Sequence, residues 1–377
     1  MKEVYLDNAA TTQPCNAAIK SMVRVMQENY GNPSSLHLKG IEAEKEIIFA
    51  KQTIASMINA SENEIYFTSG GTEANNLAIL GAIQAKKRLG NKIITTAIEH
   101  SSVYETISSL EKSGIEVVYL TPDITVCITK EQLFNAIDEK TILVSMMMVN
   151  NELGSIEPVE EIKKIVNIKK SPALVHVDAV QAFGKIPLNI RKIGADLISL
   201  SAHKVHGPKG IGALYKAKNA RIAPIFFGGE QQAKLRPGTE STPLIAGFGA
   251  ACAEIKSIEE NYKHVEKINI YLKDKLKEIK NIKINSPENA LPYILNFSIE
   301  GIKSETMLHF LSSHGIFVSS GSACAKGQKS RILTAINLPK NQIDSAIRVS
   351  FSKNNTLEEV NYLIEKIKEG IASISKS

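Results

Sequence analysis

A lysine that directly follows an apolar stretch is the residue of this sequence best placed for covalent chemistry. Lys204 lies in the segment 199–210, just after the apolar pair 197–198. Ligands of α/β sheets bind where buried strands end, and an amine there can hold an aldehyde cofactor as a Schiff base. Ser201 and His203 would then bind phosphate and assist proton transfer. The alternative is a surface lysine in an ordinary loop.

An aspartate at the end of a second apolar run is a candidate partner for such a cofactor. Asp178 ends the run 175–177, and a buried carboxylate is costly without a partner. A cationic pyridinium nitrogen would be suitable, and the alternative is a helix N-cap. Lys204 follows 26 residues later, from 178 to 204, which is about one helix-plus-strand crossover. The two strand ends are therefore expected side by side at one edge of a sheet.

A glycine turn after the apolar run 65–68 indicates an anion site. Gly70, Gly71 and Thr72 lie between this run and the helix pattern that begins at Glu73. Exposed N–H groups and the helix dipole favour an anion there, and glycine lets the backbone approach it closely. Such turns are common, so this one indicates phosphate only together with the other features.

The four cysteines, at positions 15, 127, 252 and 324, are far apart and form no Cys-x-x-Cys pair. This spacing predicts neither a disulfide framework nor a zinc site. Cys324 lies in the Ser/Gly/Lys-rich loop 320–330, where Lys326 favours the reactive thiolate. The alternative is an incidental loop cysteine. The other three are expected to be small buried residues.

Two arginines complete the candidates. Arg348 lies in the segment 346–351, which alternates like a strand. A guanidinium that points inward needs a carboxylate, and a substrate could supply it in bidentate fashion. Arg236 precedes the donor-rich turn 237–240. For both residues an ordinary salt bridge is the alternative.

The elements that must position these residues alternate between helix and strand patterns. Apolar spacing of three and four predicts helices at 19–28, 40–59, 73 onward, 101–113, 130–137 and 157–169. Short apolar runs predict strands at 65–68, 92–96, 115–120, 141–148, 173–177 and 197–201, and one of opposite direction at 210–215. This alternation indicates a mainly parallel sheet covered on both faces.

The pattern changes near 250–256, where a domain boundary is expected. The later part predicts a charged helix at 254–280, strands at 281–285 and 293–298, a helix at 304–313, a strand at 316–319 and a final helix at 356–374.

Composition excludes several classes of protein. The chain of 377 residues is 43% apolar and 22% charged, which is typical of globular proteins and not of disordered or fibrous ones. No apolar run reaches the roughly 18 residues of a membrane span, and the N-terminus lacks a secretory signal pattern, so a cytoplasmic location is expected. The net charge of +6 is mild, and direct nucleic-acid binding is not expected without a basic block.

Together these segments resemble one family, the cysteine desulfurases, which are class-V aminotransferases among the fold-type-I pyridoxal-phosphate (PLP) enzymes. The resemblance runs over essentially the whole chain, with the motifs in the expected order. The matching segments are Tyr5–Thr12, Gly31–Ser35, Thr68–Glu73, Glu99–His100, Val149–Gly154, His176–Gln181, Ser201–Lys204, Arg236–Thr239, Ser319–Cys324 and Ile347–Ser350.

The resemblance implies an α/β fold of PLP-dependent transferase type I. Residues 13–254 would form a large PLP-binding domain with a mainly parallel sheet of the seven-stranded type. Residues 1–12 and 255–377 would form a smaller α/β domain that carries the cysteine loop. A homodimer with shared active sites is also implied.

The resemblance further implies a role toward PLP for each matched residue. Lys204 should hold the cofactor, Asp178 should pair with the pyridine nitrogen, and Gln181 should bond the phenolic oxygen. His100 should stack on the ring and assist catalysis, with Asn151 beside it. The phosphate should be held by Gly71, Thr72, Ser201, His203 and, from the second subunit, Thr239.

The implied reaction removes sulfur from L-cysteine. Arg348 and Asn32 should bind the substrate carboxylate, and Cys324 should attack the sulfur to give L-alanine and a persulfide. Gly321 and Gly327 would allow the loop to move. The sulfur would pass to an acceptor protein, which serves tRNA thiolation, thiamine synthesis or iron–sulfur cluster assembly.

The sequence departs from the family in two places. Ala202 stands where relatives often have glycine, and the loop at 325–330 is basic where iron–sulfur members more often have Thr-Ser. This loop resembles members associated with tRNA thiolation. Alternative functions are a selenocysteine lyase, an aminotransferase of the same fold and a scaffold without catalysis. Cys324 argues against the aminotransferase, which needs no thiol.

Overall fold

The computed structural model describes residues 3–123, 125–320 and 330–374. Its strands are β1 (Val4–Tyr5), β2 (Ile65–Thr68), β3 (Lys92–Thr96), β4 (Glu116–Leu120), β5 (Thr141–Met147), β6 (Leu174–Asp178), β7 (Leu197–Ser201), β8 (Gly212–Lys216), β9 (Ile282–Ile284), β10 (Ile294–Ile299), β11 (Ile316–Phe317), β12 (Ser319–Ser320) and β13 (Ala346–Ser350).

The helices alternate with these strands through the first two-thirds of the chain. They are α1 (Asn16–Gln27), α2 (Leu38–Ile58), α3 (Gly71–Lys86), α4 (Ser101–Lys112), α5 (Lys130–Ala136), α6 (Val159–Ile168), α7 (Ile190–Ile193), α8 (Thr242–Ala253), α9 (Ile258–Lys277), α10 (Ser304–Ser313), α11 (Arg331–Ala335), α12 (Lys340–Asp344) and α13 (Leu357–Ile374). None of the helices in the described part of the chain is long and apolar enough to cross a membrane.

Seven strands form the main sheet, in the order β2-β8-β7-β6-β5-β3-β4. β8 is antiparallel to both neighbours, and the other adjacent pairs are parallel. Six strands therefore point the same way, and β2, β5, β6 and β7 end at one edge. The expected fold, an α/β architecture with a mainly parallel seven-stranded sheet, is confirmed.

The sheet has an apolar layer on each face, as strands buried on both sides require. Val175 and Val177 of β6 enter one core cluster, and Leu174 enters another. Ile198 and Leu197 of β7 divide in the same way. Because successive side chains of a strand point to opposite faces, these runs read as continuously apolar in the sequence.

A second sheet of four antiparallel strands, β12-β13-β10-β9, forms in the last third of the chain. The N-terminal segment lies against this part, because β1 pairs with β11 and Asp7 forms a β-bridge with Ser350. The division into domains of residues 13–254, and of 1–12 with 255–377, stays a prediction.

Two predicted elements are wrong in detail. The single helix at 254–280 begins only at Ile258, because Ser257 caps it by accepting a hydrogen bond from the Glu260 N–H. α8 precedes it and was not predicted, since it is apolar nearly all round. The strand at 316–319 is divided, so that β11 pairs with β1 and β12 pairs with β13.

Candidate active site

The carboxyl ends of β6 and β7 form the floor of the candidate site. The strands are parallel and place Asp178 opposite Ser199. Lys204 lies in the 3₁₀ turn that directly follows β7. Its Nζ donates hydrogen bonds to the carbonyls of Ala9, at 2.6 Å, and Ala10, at 2.7 Å. The two strand ends expected from the 26-residue spacing therefore lie side by side.

The N-terminal segment covers this edge, which sequence patterns did not predict. The Thr12 N–H donates to the His203 carbonyl at 2.8 Å, and the His206 N–H donates to Thr12 Oγ1 at 2.7 Å. His203 Nδ1 lies 3.2 Å from Thr11 Oγ1. Residues 9–12 are thereby fastened to the lysine turn, and two of their carbonyls become the partners of Lys204.

Asp178 is buried and held by donors on both of its oxygens. Asn75 Nδ2 donates to Oδ2 at 2.7 Å, and the Val180 N–H donates to Oδ1 at 3.0 Å. Asn75 Nδ2 also donates to Ser102 Oγ at 2.9 Å, and this hydroxyl lies 2.8 Å from His100 Nδ1. Asn75 and Ser102 were missed as site residues, although Asn75 stands five residues after Gly70 in the glycine-turn segment.

His100 is the N-cap of α4 and lies at the open side of the site. Its Nδ1 accepts a hydrogen bond from the Ser102 N–H at 3.2 Å. Desolvation lowers the pKa of His100, Asp178 opposes this shift, and Lys204 adds to it. The ring is therefore neutral near pH 7, and because Nδ1 accepts a bond, its proton is on Nε2.

The first turn of α3 lies beside the end of β7. An ideal Cβ on Gly71 would lie 2.9 Å from Val180 Cγ2 and 3.6 Å from Ser201 Cβ, so this close approach requires glycine. The Ser201 hydroxyl is buried and has no hydrogen-bond partner among the described residues. Thr72 follows in the same turn and is exposed. A helix N-terminus, a close backbone and an unpartnered hydroxyl are the features that bind phosphate.

His203 stands between the lysine turn and the N-terminal segment. Burial, followed by the charges of Lys204, Lys209 and Lys185, lowers its pKa to about 4. The ring is therefore neutral at physiological pH, and it can exchange hydrogen bonds with a phosphate without carrying charge.

Gln181 lies in the turn after β6 and is buried. Its Nε2 donates to the Ala9 carbonyl at 2.9 Å, and its Oε1 accepts from Lys185 Nζ at 2.9 Å. Lys185 is 6% exposed. Burial, followed by the charges of Lys204 and Arg348, lowers the pKa of Lys185 to about 7. Sequence patterns did not single out this lysine, and its only signal is its place four residues after Gln181.

Arg348 reaches the same region from the second sheet, in the middle of β13. Its guanidinium donates to the Asn151 carbonyl at 2.8 Å and to Asp7 Oδ1 at 2.9 Å. Its Nε and the Asn151 Oδ1 are buried and have no hydrogen-bond partner among the described residues. The salt bridge considered for Arg348 is present, with Asp7 as its partner. The unpartnered Nε–H is left to bind a ligand such as a substrate carboxylate.

Cys324 lies outside the described residues, as do Lys326 and the two glycines of its loop. The next described residue is Ser330, whose hydroxyl donates a hydrogen bond to Glu152 Oε2 at 2.6 Å. Burial raises the pKa of Glu152 to about 7, although the Ser330 bond, Arg348 and Arg331 oppose the shift. Ser330 is therefore held at Glu152, the residue next to Asn151 in the chain.

Asn32 and Thr239 are exposed residues of outer loops. Asn32 Oδ1 accepts a bond from the Ser34 N–H at 2.9 Å. Thr239 follows Arg236, which pairs with Glu73 in the first turn of α3 at 2.7 Å. None of the described hydrogen bonds joins Asn32 or Thr239 to the lysine turn, and their assigned roles stay predictions.

Of the other three cysteines, Cys252 is buried as expected, whereas Cys15 and Cys127 are only partly buried. Burial raises the pKa of Cys127 to about 12 and raises that of Cys252 further, so both remain protonated thiols. Within the described ranges, no group of three or more His, Cys, Asp and Glu side chains is placed to hold a metal ion.

The residues at this edge fit PLP on their own chemistry. A phosphate matches the unpartnered Ser201 hydroxyl near Gly71, and a protonated pyridine nitrogen matches the buried carboxylate of Asp178. An aldehyde matches the amine of Lys204, which the turn after β7 places at the same edge.

Comparisons with known proteins identify the family of this chain. Residues 4–363 match the family described as aminotransferase class-V. The chain is 41% identical over 372 residues to cysteine desulfurase IscS of Methanosarcina thermophila, covering 98% of this chain and 92% of that one.

Solved structures show the same fold. A NifS-like protein superposes with a TM-score of 0.93 at 38% identity, covering 98% of this chain and all of that one. SspA in complex with cysteine has a TM-score of 0.83 at 34% identity, covering 94% and 100%. The chain therefore belongs to the PLP-dependent class-V aminotransferases and, within them, to the cysteine desulfurases.

Proposed function

We propose that the protein removes sulfur from L-cysteine, giving L-alanine and a persulfide on Cys324 that passes to an acceptor protein. The observation that carries the proposal is the convergence of two cationic groups on one short segment. Lys204 binds the carbonyl of Ala9, and Arg348 binds the carboxylate of Asp7. An amine for a cofactor and a guanidinium for a substrate carboxylate thus lie near each other.

PLP, when bound, supplies an electron sink for the negative charge that develops on the substrate α-carbon. Asn75 and the Val180 N–H hold Asp178 in place for the pyridine nitrogen. Gln181 Nε2 would donate to the phenolic oxygen, and His100 would lie beside the ring. Lys204 would hold the cofactor through its amine, and its Nζ would take the α-proton of the substrate.

Substrate binding uses the second sheet. The Nε–H of Arg348 and the remaining guanidinium hydrogens bind the carboxylate of L-cysteine, and such charge-assisted bonds are strong and directional. Asn32 adds a donor from the outer loop. The carboxylate of Asp7 stays paired with Arg348 and holds its guanidinium in position.

The sulfur step uses the thiolate of Cys324, which Lys326 favours. The thiolate attacks the substrate sulfur, so that an S–S bond forms as the C–S bond breaks. The electron pair of that bond stays with the carbon, which takes up a proton. The balance is L-cysteine plus the Cys324 thiol giving L-alanine plus the Cys324 persulfide, with no outside oxidant.

The basic loop at 325–330 favours a tRNA-thiolating enzyme as the acceptor over an iron–sulfur scaffold or a thiamine pathway protein. The protein is proposed to act in the cytoplasm as a homodimer, with Thr239 serving the partner's site. Large apolar side chains on the outer surface support the dimer. Sedimentation equilibrium, which measures the mass of the particle in solution, tests it. These exposed side chains are Leu36, Leu38, Tyr30, Met26 and Phe227.

The test measures L-alanine and sulfide released from L-cysteine by the PLP-loaded protein, with a thiol reductant to discharge the persulfide. Equal amounts from wild type and none from Cys324→Ser are expected. Cys15→Ser is the matched control and should behave as wild type. Cys15 precedes the first residue of α1, and its thiol makes no capping hydrogen bond there.

Two outcomes would contradict the proposal. Alanine formation that does not depend on Cys324 would indicate a lyase of other preference, which selenocysteine as substrate would then identify. Neither product, with the cofactor visibly bound, would favour an aminotransferase, which a 2-oxo acid acceptor would reveal.

A further inference from the structure

Lys185 is a buried lysine with no carboxylate partner among the described residues. It is 6% exposed, and the Tyr293 ring centroid lies 5.9 Å from its Nζ. Its Nζ donates a hydrogen bond to Gln181 Oε1 at 2.9 Å. A buried amine is costly, so this contact calls for a reason beyond packing.

The bond belongs to a chain that ends at the lysine turn. Lys185 Nζ donates to Gln181 Oε1, and Gln181 Nε2 donates to the Ala9 carbonyl. The same carbonyl accepts from Lys204 Nζ at 2.6 Å. The amide of Gln181 can satisfy both neighbours in only one orientation. A flipped amide would turn its NH₂ group toward the Lys185 amine, which is also a donor, and its oxygen toward the Ala9 carbonyl, which is also an acceptor.

We propose that Lys185 is a positioning residue, which fixes the amide of Gln181 so that its nitrogen, and not its oxygen, faces Ala9 and the cofactor. This inference rests on the proposed role of Gln181 at the phenolic oxygen. An amide oxygen in that place would repel the phenolic oxygen, whereas the nitrogen donates to it and stabilises its anionic form.

The groups around Lys185 suit this role over the working pH range. Lys204 and Arg348 face it and, after burial, lower its pKa to about 7. His203 and His206 are also close enough to Lys185 that its positive charge lowers the pKa of each. A neutral and a protonated amine both donate hydrogen bonds, so the orientation of Gln181 is kept on either side of pH 7.

The test follows the visible absorbance of the PLP-loaded protein against pH without any substrate. Loss of the donor to the phenolic oxygen raises the pKa of the bound cofactor. Lys185→Met should therefore move the midpoint of this absorbance titration upward by about one pH unit. Lys185→Arg keeps a donor and should restore the midpoint. Lys185→Leu replaces K185M if that variant does not fold.

A double-mutant cycle separates positioning from simple charge. Gln181→Ala should raise the midpoint by a similar amount, and K185M should add little in the Q181A background. An unchanged midpoint in K185M, or shifts that add fully in the double variant, would overturn the proposal. Since no cysteine is turned over, failure of the desulfurase proposal would appear separately, as a wild type with normal absorbance and no alanine.

Discussion

The two sides of the candidate site are built in different ways. Asp178 and Ser201 end two adjacent parallel strands and Lys204 follows the second, so one crossover of the chain brings them together. Arg348 comes from the middle of an antiparallel strand in another sheet, and its partner Asp7 lies 341 residues earlier. The first side is local in the sequence, and the second exists only when the two ends of the chain meet.

This difference separates two tasks. The strand ends are fixed by a sheet buried on both faces, which suits groups that must hold a cofactor in one orientation. The side around Arg348 depends on the contact between the N-terminal segment and β13, which suits a substrate that must enter and leave. Substitutions on the two sides should therefore affect different steps.

The largest effect is expected on the strand-end side, from Lys204→Ala. Without the amine, the α-proton has no base and the cofactor has no covalent link, so alanine formation should fall by about 10³-fold or more. Single-turnover formation of alanine from L-cysteine measures this loss.

The matched control for this variant is Lys209→Ala, an exposed lysine in the same loop. It should keep wild-type turnover. If K204A kept more than about a tenth of the rate, the strand-end side would not carry the chemistry, and the division between the two sides would fail.

A smaller and different effect is expected from Arg348→Lys. A lysine cannot form the forked bonds of a guanidinium, so KM for L-cysteine should rise by about 10- to 100-fold while affinity for PLP is kept. Steady-state kinetics and equilibrium dialysis of the cofactor measure the two quantities.

Arg24→Lys tests whether any arginine replacement has this effect, since Arg24 forms a two-point pair with Glu46 on α1 and α2. It should leave KM unchanged. A loss of PLP affinity in R348K at unchanged KM would show that the Arg348 side holds the cofactor, contrary to the comparison.

The local side could be predicted from sequence because its signals are local. An apolar run followed by Asp178 or Lys204 identifies a strand end, and the 26-residue spacing implies neighbouring parallel strands. A mainly parallel sheet follows from the same alternation. The reversed direction of β8 was also predicted, and it fits because 210–215 comes too soon after β7 for a parallel crossover.

The contacts between distant segments could not be predicted in this way. No local pattern marks Ala9 and Ala10 as partners of Lys204, since backbone carbonyls carry no side-chain signal. Asn75 and Lys185 lie one turn or less from residues that were identified, yet their contacts depend on how α3 and the turn after β6 pack. α8 was missed because a helix that is apolar on all sides has no amphipathic period.

The smallest effect on turnover, and a clear one on stability, is expected at Glu99, beside His100. This carboxyl is fully buried, and its Oε1 accepts bonds from Thr96 Oγ1 and the Met147 N–H. Burial raises its pKa from 4.5 to about 8. The folded protein therefore keeps a proton that the unfolded chain releases above pH 4.5, so stability falls as pH rises toward 8.

Glu99→Gln keeps both accepted bonds and removes the ionisation. It should lower alanine formation little and become more stable than wild type between pH 5 and 8, by a few kcal/mol in all. Thermal unfolding of both proteins across this range gives the difference. If the stabilities of the two proteins changed with pH in parallel, Glu99 would be ionised in the folded protein. The site would then hold a second buried charge next to Asp178, which the cofactor would also have to balance.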